Sequence, residues 1–390
     1  QDGVTIDMGR MAGVELAEDF QSVSVGPGAR WINVSSVLDP LGRAVVGGRV
    51  SDVGVSGLIL GGGISYFSGR RGWACDNVLR YEIVLASGDI ITASPTEHAD
   101  LYRALRGGGG KSFGIVSRFD LEVFPQGDMW STMVFTSADS FRDGILPEMA
   151  DLIDNGLVED LDAHVFGGYT FLPDMGGFVG FANAYHAKPS EEAPKTTPKV
   201  FENLVRVPSL TNSTIVANSS THMLALNEAY GGRAAWWVTS VKADLKLMRE
   251  LLPILERFAH TVAPVTPFLI FQPLTTETLA QMQRNGGNVL GLKPEDGPVW
   301  NVQVTARWAG DAGMDAVVDD ASRKAIFEIE AAAEKRGLLQ GYKYVNYAGQ
   351  GQDVFASYGA GNHRELRRVA RKYDPEGVLR DLWEGYFGMD

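Results

Sequence analysis

Residues 45–124 set three glycine clusters between strand-like runs. The stretch reads VVGGRVSDVGVSGLILGGGISYFSGRRGWACDNVLRYEIVLASGDIITAS and, further on, DLYRALRGGGGKSFGIVSRFDLEVF. Glycine admits close approach of the main chain and positive φ at little steric cost. Gly47-Gly48, residues 54–63 and residues 107–114 therefore predict a bound group laid against bare backbone. A set of tight turns in a β-rich domain is the plainer reading of the same pattern.

At 390 residues the chain is too long for one ordinary core and predicts two large domains. Hydrophobic residues make up 45% and charged residues 21%, a globular composition. The net charge of −13 argues against nucleic acid and anionic membranes as partners, since both call for a basic surface. The apolar runs are too short to span a bilayer. A single cysteine, Cys75, permits no internal disulfide, which fits a cytosolic protein best without excluding secretion. The compartment and oligomeric state are not legible.

Residues 78–85 and 90–93, joined by Ala86-Ser87-Gly88-Asp89, predict a hairpin. Residues 97–106 predict a short helix with Leu101 and Leu105 on one face, ended by the glycine run. Residues 115–124 alternate as a strand, and the chain leaves the first domain near Pro125-Gln126-Gly127. Beyond, 165–169, 178–185 and 236–241 are strand-like, while 245–258 and 316–336 are amphipathic helices, the first interrupted or kinked at Pro253. Strands with helices on one side predict an α+β layer. A last helix carries Leu366, Val369, Ala370 and Tyr373 before Asp374-Pro375 stops it.

Gly107-Gly108-Gly109-Gly110-Lys111-Ser112 fails as a phosphate-binding P-loop. Position 105 is leucine where that motif needs glycine, and the helix precedes the run instead of following it. The six histidines show no ligand spacing, so no metal site is expected. No Gly-x-Ser-x-Gly elbow appears, and Cys75 reads as a small buried filler.

The order of several motifs carries a resemblance. They are Asp2-Gly3-Val4-Thr5-Ile6-Asp7 and residues 23–29, Gly61-Gly62-Gly63, residues 73–78, residues 105–110, Phe113-Gly114-Ile115-Val116, Asn285-Gly286-Gly287-Asn288, Tyr344-Val345-Asn346-Tyr347 and Tyr373-Asp374-Pro375. In this order they resemble the FAD-linked oxidases of the vanillyl-alcohol oxidase and berberine-bridge-enzyme type, with the fungal oxidoreductases nearest. The resemblance implies an α+β, two-domain PCMH-type FAD-binding fold. Its second part of the FAD-binding domain would take residues 1–127, a substrate domain of antiparallel sheet covered by helices 128–340, and a return to the FAD-binding domain 341–390. The first two motifs would form a strand pair. Relatives begin with a further subdomain carrying a flavin-linked histidine, so that N-terminal part is expected to be missing here. Val50 stands where bicovalent relatives place a cysteine. FAD is thus expected to be non-covalent, or at most singly linked through a histidine absent from this chain, or not bound at all.

The resemblance further implies cofactor contacts from Gly48, Val50, Ser51, Asp52, Val53, Gly54, Gly57, Gly62, Gly63, Gly114, Ile115, Val116 and Asn346, many through backbone N–H groups. Strand alternation would put Tyr344 and Asn346 on one face and Val345 and Tyr347 on the other. Tyr347 and Tyr344, with Gln272 and Tyr66 as further pocket candidates, are the expected base or orienting groups. A phenol in that role needs a lowered pKa. The implied activity is oxidation of a small organic substrate, a secondary metabolite or carbohydrate alcohol, by hydride transfer to flavin with O2 as acceptor. Two alternatives stay open: a flavin-free or redox-neutral cyclase on the same scaffold, and a non-catalytic binding protein.

Overall fold

The computed structural model describes residues 3–188, 196–227, 230–310, 312–385 and 387–389. In the first part of the chain lie β1 (Val14–Leu16), β2 (Ser22–Val25), β3 (Arg43–Ala44), β4 (Val78–Val84), β5 (Ile90–Ala93), β6 (Ile115–Glu122) and β7 (Phe124–Pro125). An antiparallel sheet runs in the order β1-β2-β6-β4-β5, and β3 pairs with β7. The β4–β5 hairpin turns at Gly88, φ +88°, as the glycine there requires. The helix Ala99–Leu105 buries Leu101 and Leu105 and stops before Gly107, φ +103°.

The expected strand pair at the N-terminus is corrected. Asp2 lies outside the described residues, and residues 3–7 form no strand; β2 pairs instead with β1. Asp7 Oδ1 accepts from Gly9 N at 2.8 Å, opening a turn. The chain then crosses so close to Gly26 and Gly28 that a Cβ on either would sit 2.1 Å from a carbonyl oxygen of Met11 or Met8. Those glycines fit this crossing.

From Met129 onward the strands are β8 (Met129–Ser137), β9 (Ala163–Leu172), β10 (Gly177–His186), β11 (Thr211–Ala217), β12 (Gly232–Lys242), β13 (Thr266–Leu274) and β14 (Val299–Ala309). All pair antiparallel, in the order β11-β8-β10-β9-β13-β14-β12. Two long helices, Leu245–Val262 and Asp315–Lys335, cover one face, the first running on through Pro253. Alternation sorts β14 cleanly: Trp300, Val302, Val304 and Ala306 enter the helix-side core, while Asn301, Gln303 and Thr305 face the other way, fully buried. That second, polar face turns towards the first half of the molecule.

A separate core joins β2, β4 and β6 to residues of the C-terminal segment, among them Tyr342, Tyr344, Leu366 and Val369. Gln352 then ties this segment to the sheet edge: its amide donates to Val238 O at 2.8 Å and accepts from Val238 N at 3.1 Å and Gly349 N at 2.9 Å. No helix among the described residues is long and apolar enough to cross a membrane.

Candidate active site

Two cavities share a wall at the helix Val55–Leu60. The larger, of about 1120 Å³, is bounded by Arg49, Val50, Asp52, Val53, Gly54 and Gly57, by Trp236 and Arg307 from the sheet, and by Tyr344, Asn346 and Tyr347. The smaller, about 350 Å³, is bounded by Gly57, Gly61, Gly110, Gly114, Ile115, Val116 and Asn346. Gly57 and Asn346 border both.

The glycines named from sequence divide into two kinds. A Cβ on Gly54 or Gly57 would project into open space, so these two keep the groove clear. Gly48 instead packs on the Trp31 indole, Gly62 on Trp73, and Gly63 on Leu58 and Ala74, each with no room for a side chain. Ser51 is fully buried and donates its N–H to Met223 O. Gly48, Ser51, Gly62 and Gly63 are not among the residues that border the two cavities.

Residues 344–347 form a turn with one 3₁₀ segment, Val345–Tyr347, and not a strand. The turn brings the two phenols together, ring centroids 4.7 Å apart and nearly perpendicular, and without a strand it still sets Tyr344 beside Asn346. Tyr344 OH accepts from Gly63 N at 3.0 Å and from Asn346 Nδ2 at 2.9 Å. Burial raises the Tyr344 phenol well above its ordinary value, opposite to the lowering a base would need. Asn346 Nδ2 also donates to Leu58 O at 3.1 Å, and its amide lies so close to Gly61 that only glycine fits there.

Tyr347 reaches the other way. Its ring stacks on Trp236 of β12 at 5.2 Å, and its OH accepts from Arg49 Nη2 at 3.2 Å and Gln272 Nε2 at 3.4 Å. Arg49 Nη2 further donates to Gln272 Oε1 at 2.8 Å, and Nη1 lies 3.0 Å from His164 Nε2. Because a guanidinium only donates, His164 Nε2 accepts and the ring proton sits on Nδ1. Tyr66 backs this cluster, donating to Arg49 O at 3.1 Å, but does not border the cavity.

Sequence reasoning found Tyr347 and Gln272 and missed Arg49, His164 and Trp236. Alternation along β9 carries a usable signal for His164, since it shares a face with Phe166 and opposes Val165 in the helix-side core. For Arg49 no local signal exists; its partners lie 115, 223 and 298 positions away.

Burial, with Arg49's charge added, pushes His164 well below the ordinary histidine value of 6.5. The folded state therefore holds a neutral ring where the unfolded chain takes up a proton. Its contribution is present above about pH 6.5 and is lost as pH falls further. Thermal unfolding between pH 7.5 and 5 is expected to lose up to about 1.4 kcal/mol per pH unit below that point. His164→Gln should flatten the slope; an unchanged slope in that variant would assign it to other groups.

The fold aligns with solved flavin oxidases. It matches 6-hydroxy-D-nicotine oxidase from Arthrobacter nicotinovorans at TM-score 0.75 and 19% identity, covering 97% of this chain and 81% of that one. Against the carbohydrate oxidase from Microdochium nivale the TM-score is 0.74 at 21% identity, covering 95% and 80%. The sequence pattern of the FAD binding domain matches residues 1–94. Two relatives are nearer in sequence. The FAD-dependent monooxygenase tpcD of Cochliobolus heterostrophus is 38% identical, and its counterpart FUP4 of Fusarium proliferatum 36%, each over 98% of this chain and 75% of the relative. The chain belongs to this family of FAD-dependent oxidoreductases, with the two-domain α+β fold of the vanillyl-alcohol oxidase type.

FAD is the family's cofactor, and the residues present suit it. The Gly54 and Gly57 positions leave the groove wall bare where any side chain would intrude. Val50, Asp52, Val53, Ile115, Val116 and Asn346 border the two cavities.

Proposed function

We propose that this protein oxidises a small organic alcohol, a secondary metabolite or carbohydrate, with O2 as the final acceptor. When bound, FAD supplies the two-electron acceptor for a hydride and returns the electrons to oxygen. The observation that carries the reading is the meeting of Tyr347 and Arg49, which border the glycine-walled cavity, with Gln272 behind them, drawn from both halves of the chain. Tyr347 holds a hydroxyl where a substrate proton has to go, and its stacking on Trp236 fixes the ring. Gln272 and Arg49 orient that hydroxyl by donating to it.

Tyr347→Phe keeps the stack and removes the oxygen. Turnover of an alcohol substrate, read as H2O2 formed, is expected to fall by about 10²- to 10⁴-fold with flavin content unchanged. A variant of full activity would remove Tyr347 from proton handling. Oxygen insertion is the second reading, favoured by the names of the relatives at 38% and 36% identity. Oxygen-18 from labelled O2 appears in the product under that reading and in H2O2 under ours.

A further inference from the structure

Arg49 is 8% exposed, and no carboxylate meets its side chain: its partners are His164, Gln272, the Tyr347 hydroxyl and the Phe166 ring, 4.7 Å from the guanidinium carbon to the ring centroid. A guanidinium is a permanent cation, and buried cations are ordinarily matched by an anion. The carboxylates bordering the same cavity are engaged elsewhere. Asp52 accepts from Tyr230 and Asn227, Asp315 pairs with Arg233, and Asp319 accepts from Trp237 Nε1 at 3.0 Å. His164 offers no negative charge either, and the nearby Tyr66 and Tyr185 phenols are pushed up by burial.

We infer that the counter-charge comes from the ligand: Arg49 receives an anionic oxygen of the substrate, a carboxylate or an ionised phenol. This deepens the proposed function and rests on it for the location of the reacting site. These acceptors hold the fork in place with no carboxylate among them, at the border of the cavity. Both Nη2 hydrogens are given to Gln272 and Tyr347, so the substrate oxygen would meet the remaining N–H of Nη1 or that of Nε.

The test is calorimetric titration of the protein as purified with benzoate, with 4-nitrophenolate at alkaline pH, and with benzamide as the neutral match for benzoate. Flavin absorbance is recorded on the same samples. Benzoate is expected to bind about tenfold tighter than benzamide, as a charge-assisted hydrogen bond implies. Arg49→Met should abolish that preference, and Arg49→Lys should keep a part of it. Tight 4-nitrophenolate binding with weak benzoate would assign the site to phenols, and the reverse to carboxylates. Equal binding of benzoate and benzamide without preference for 4-nitrophenolate, no binding of either anion, or a preference that survives in Arg49→Met overturns the inference. The comparison of ligands on the unaltered protein does not depend on how a variant folds. Protein that takes up no FAD yet still prefers the anions would sink the oxidase reading and leave this one standing.

Discussion

Arg106→Met is expected to destabilise the fold by about 3–5 kcal/mol, among the largest effects available to one substitution in this chain. The side chain is fully buried and spends all five of its N–H donors. Nε donates to Cys75 O, Nη1 to Asn285 O and Gly287 O, and Nη2 to Asp76 Oδ1 and Arg284 O, at 2.6 to 3.1 Å. Methionine fills similar volume but leaves Asp76 as a buried carboxylate without its cation, still accepting from Trp73 N and Asn288 Nδ2. It also releases three carbonyls of the 284–287 loop, whose Asn285 adopts φ +54°. Urea unfolding followed by tryptophan fluorescence reads the change. A loss under 1 kcal/mol would show that the loop is held by its apolar neighbours Val289 and Leu290 and not by this hub.

Gly57 gives the second large effect, and it separates stability from cofactor binding. The residue lies inside the helix Val55–Leu60, where alanine is favoured over glycine by roughly 0.5–1 kcal/mol. A Cβ there meets nothing within 4 Å, so the fold itself accepts a side chain. The position itself, however, borders both cavities. Gly57→Ala should therefore raise the unfolding midpoint slightly. Gly57→Phe should leave far-UV circular dichroism unchanged while costing FAD about 1–3 kcal/mol of binding, about 5- to 150-fold in affinity. Flavin absorbance per mole of purified protein is the readout. Full flavin content in the phenylalanine variant would move the cofactor away from this wall.

The two cases show why parts of this molecule are legible in its sequence and parts are not. Residues 73–78, 105–110 and 285–288 each stand out as separate motifs, and the structure joins them at Asp76 and Arg106. Their composition is distinctive because a buried ion pair tolerates few alternatives. Strand and helix periodicity likewise located the β4–β5 hairpin, the helix Ala99–Leu105 and the two long covering helices, since each buries one regular face. The turn at 344–347 misled the strand assignment: a short apolar-aromatic run has the composition of a strand, while here it bonds to Gly63 and Leu58 as a turn. Glycine was ambiguous in the same way. Gly57 and Gly62 look alike in sequence, yet one keeps a groove open and the other yields to an indole. Arg49 stayed hidden because its meaning depends on what is absent around it.

That same turn sets the spacing of the site. Tyr344 and Asn346 bond to the cofactor-side wall at Gly63 and Leu58, while Tyr347, one residue on, bonds to Gln272 and stacks on Trp236 of the sheet. Four consecutive residues therefore act as a fixed gauge between two independently built cores, with Gln352 locking the far side onto Val238. A hinge motion that opened the halves would have to break these contacts first. For protein engineering, the segment from Tyr344 to Gln352 is the least suitable place for an insertion, because displacing reacting groups by an ångström costs about a hundredfold in rate.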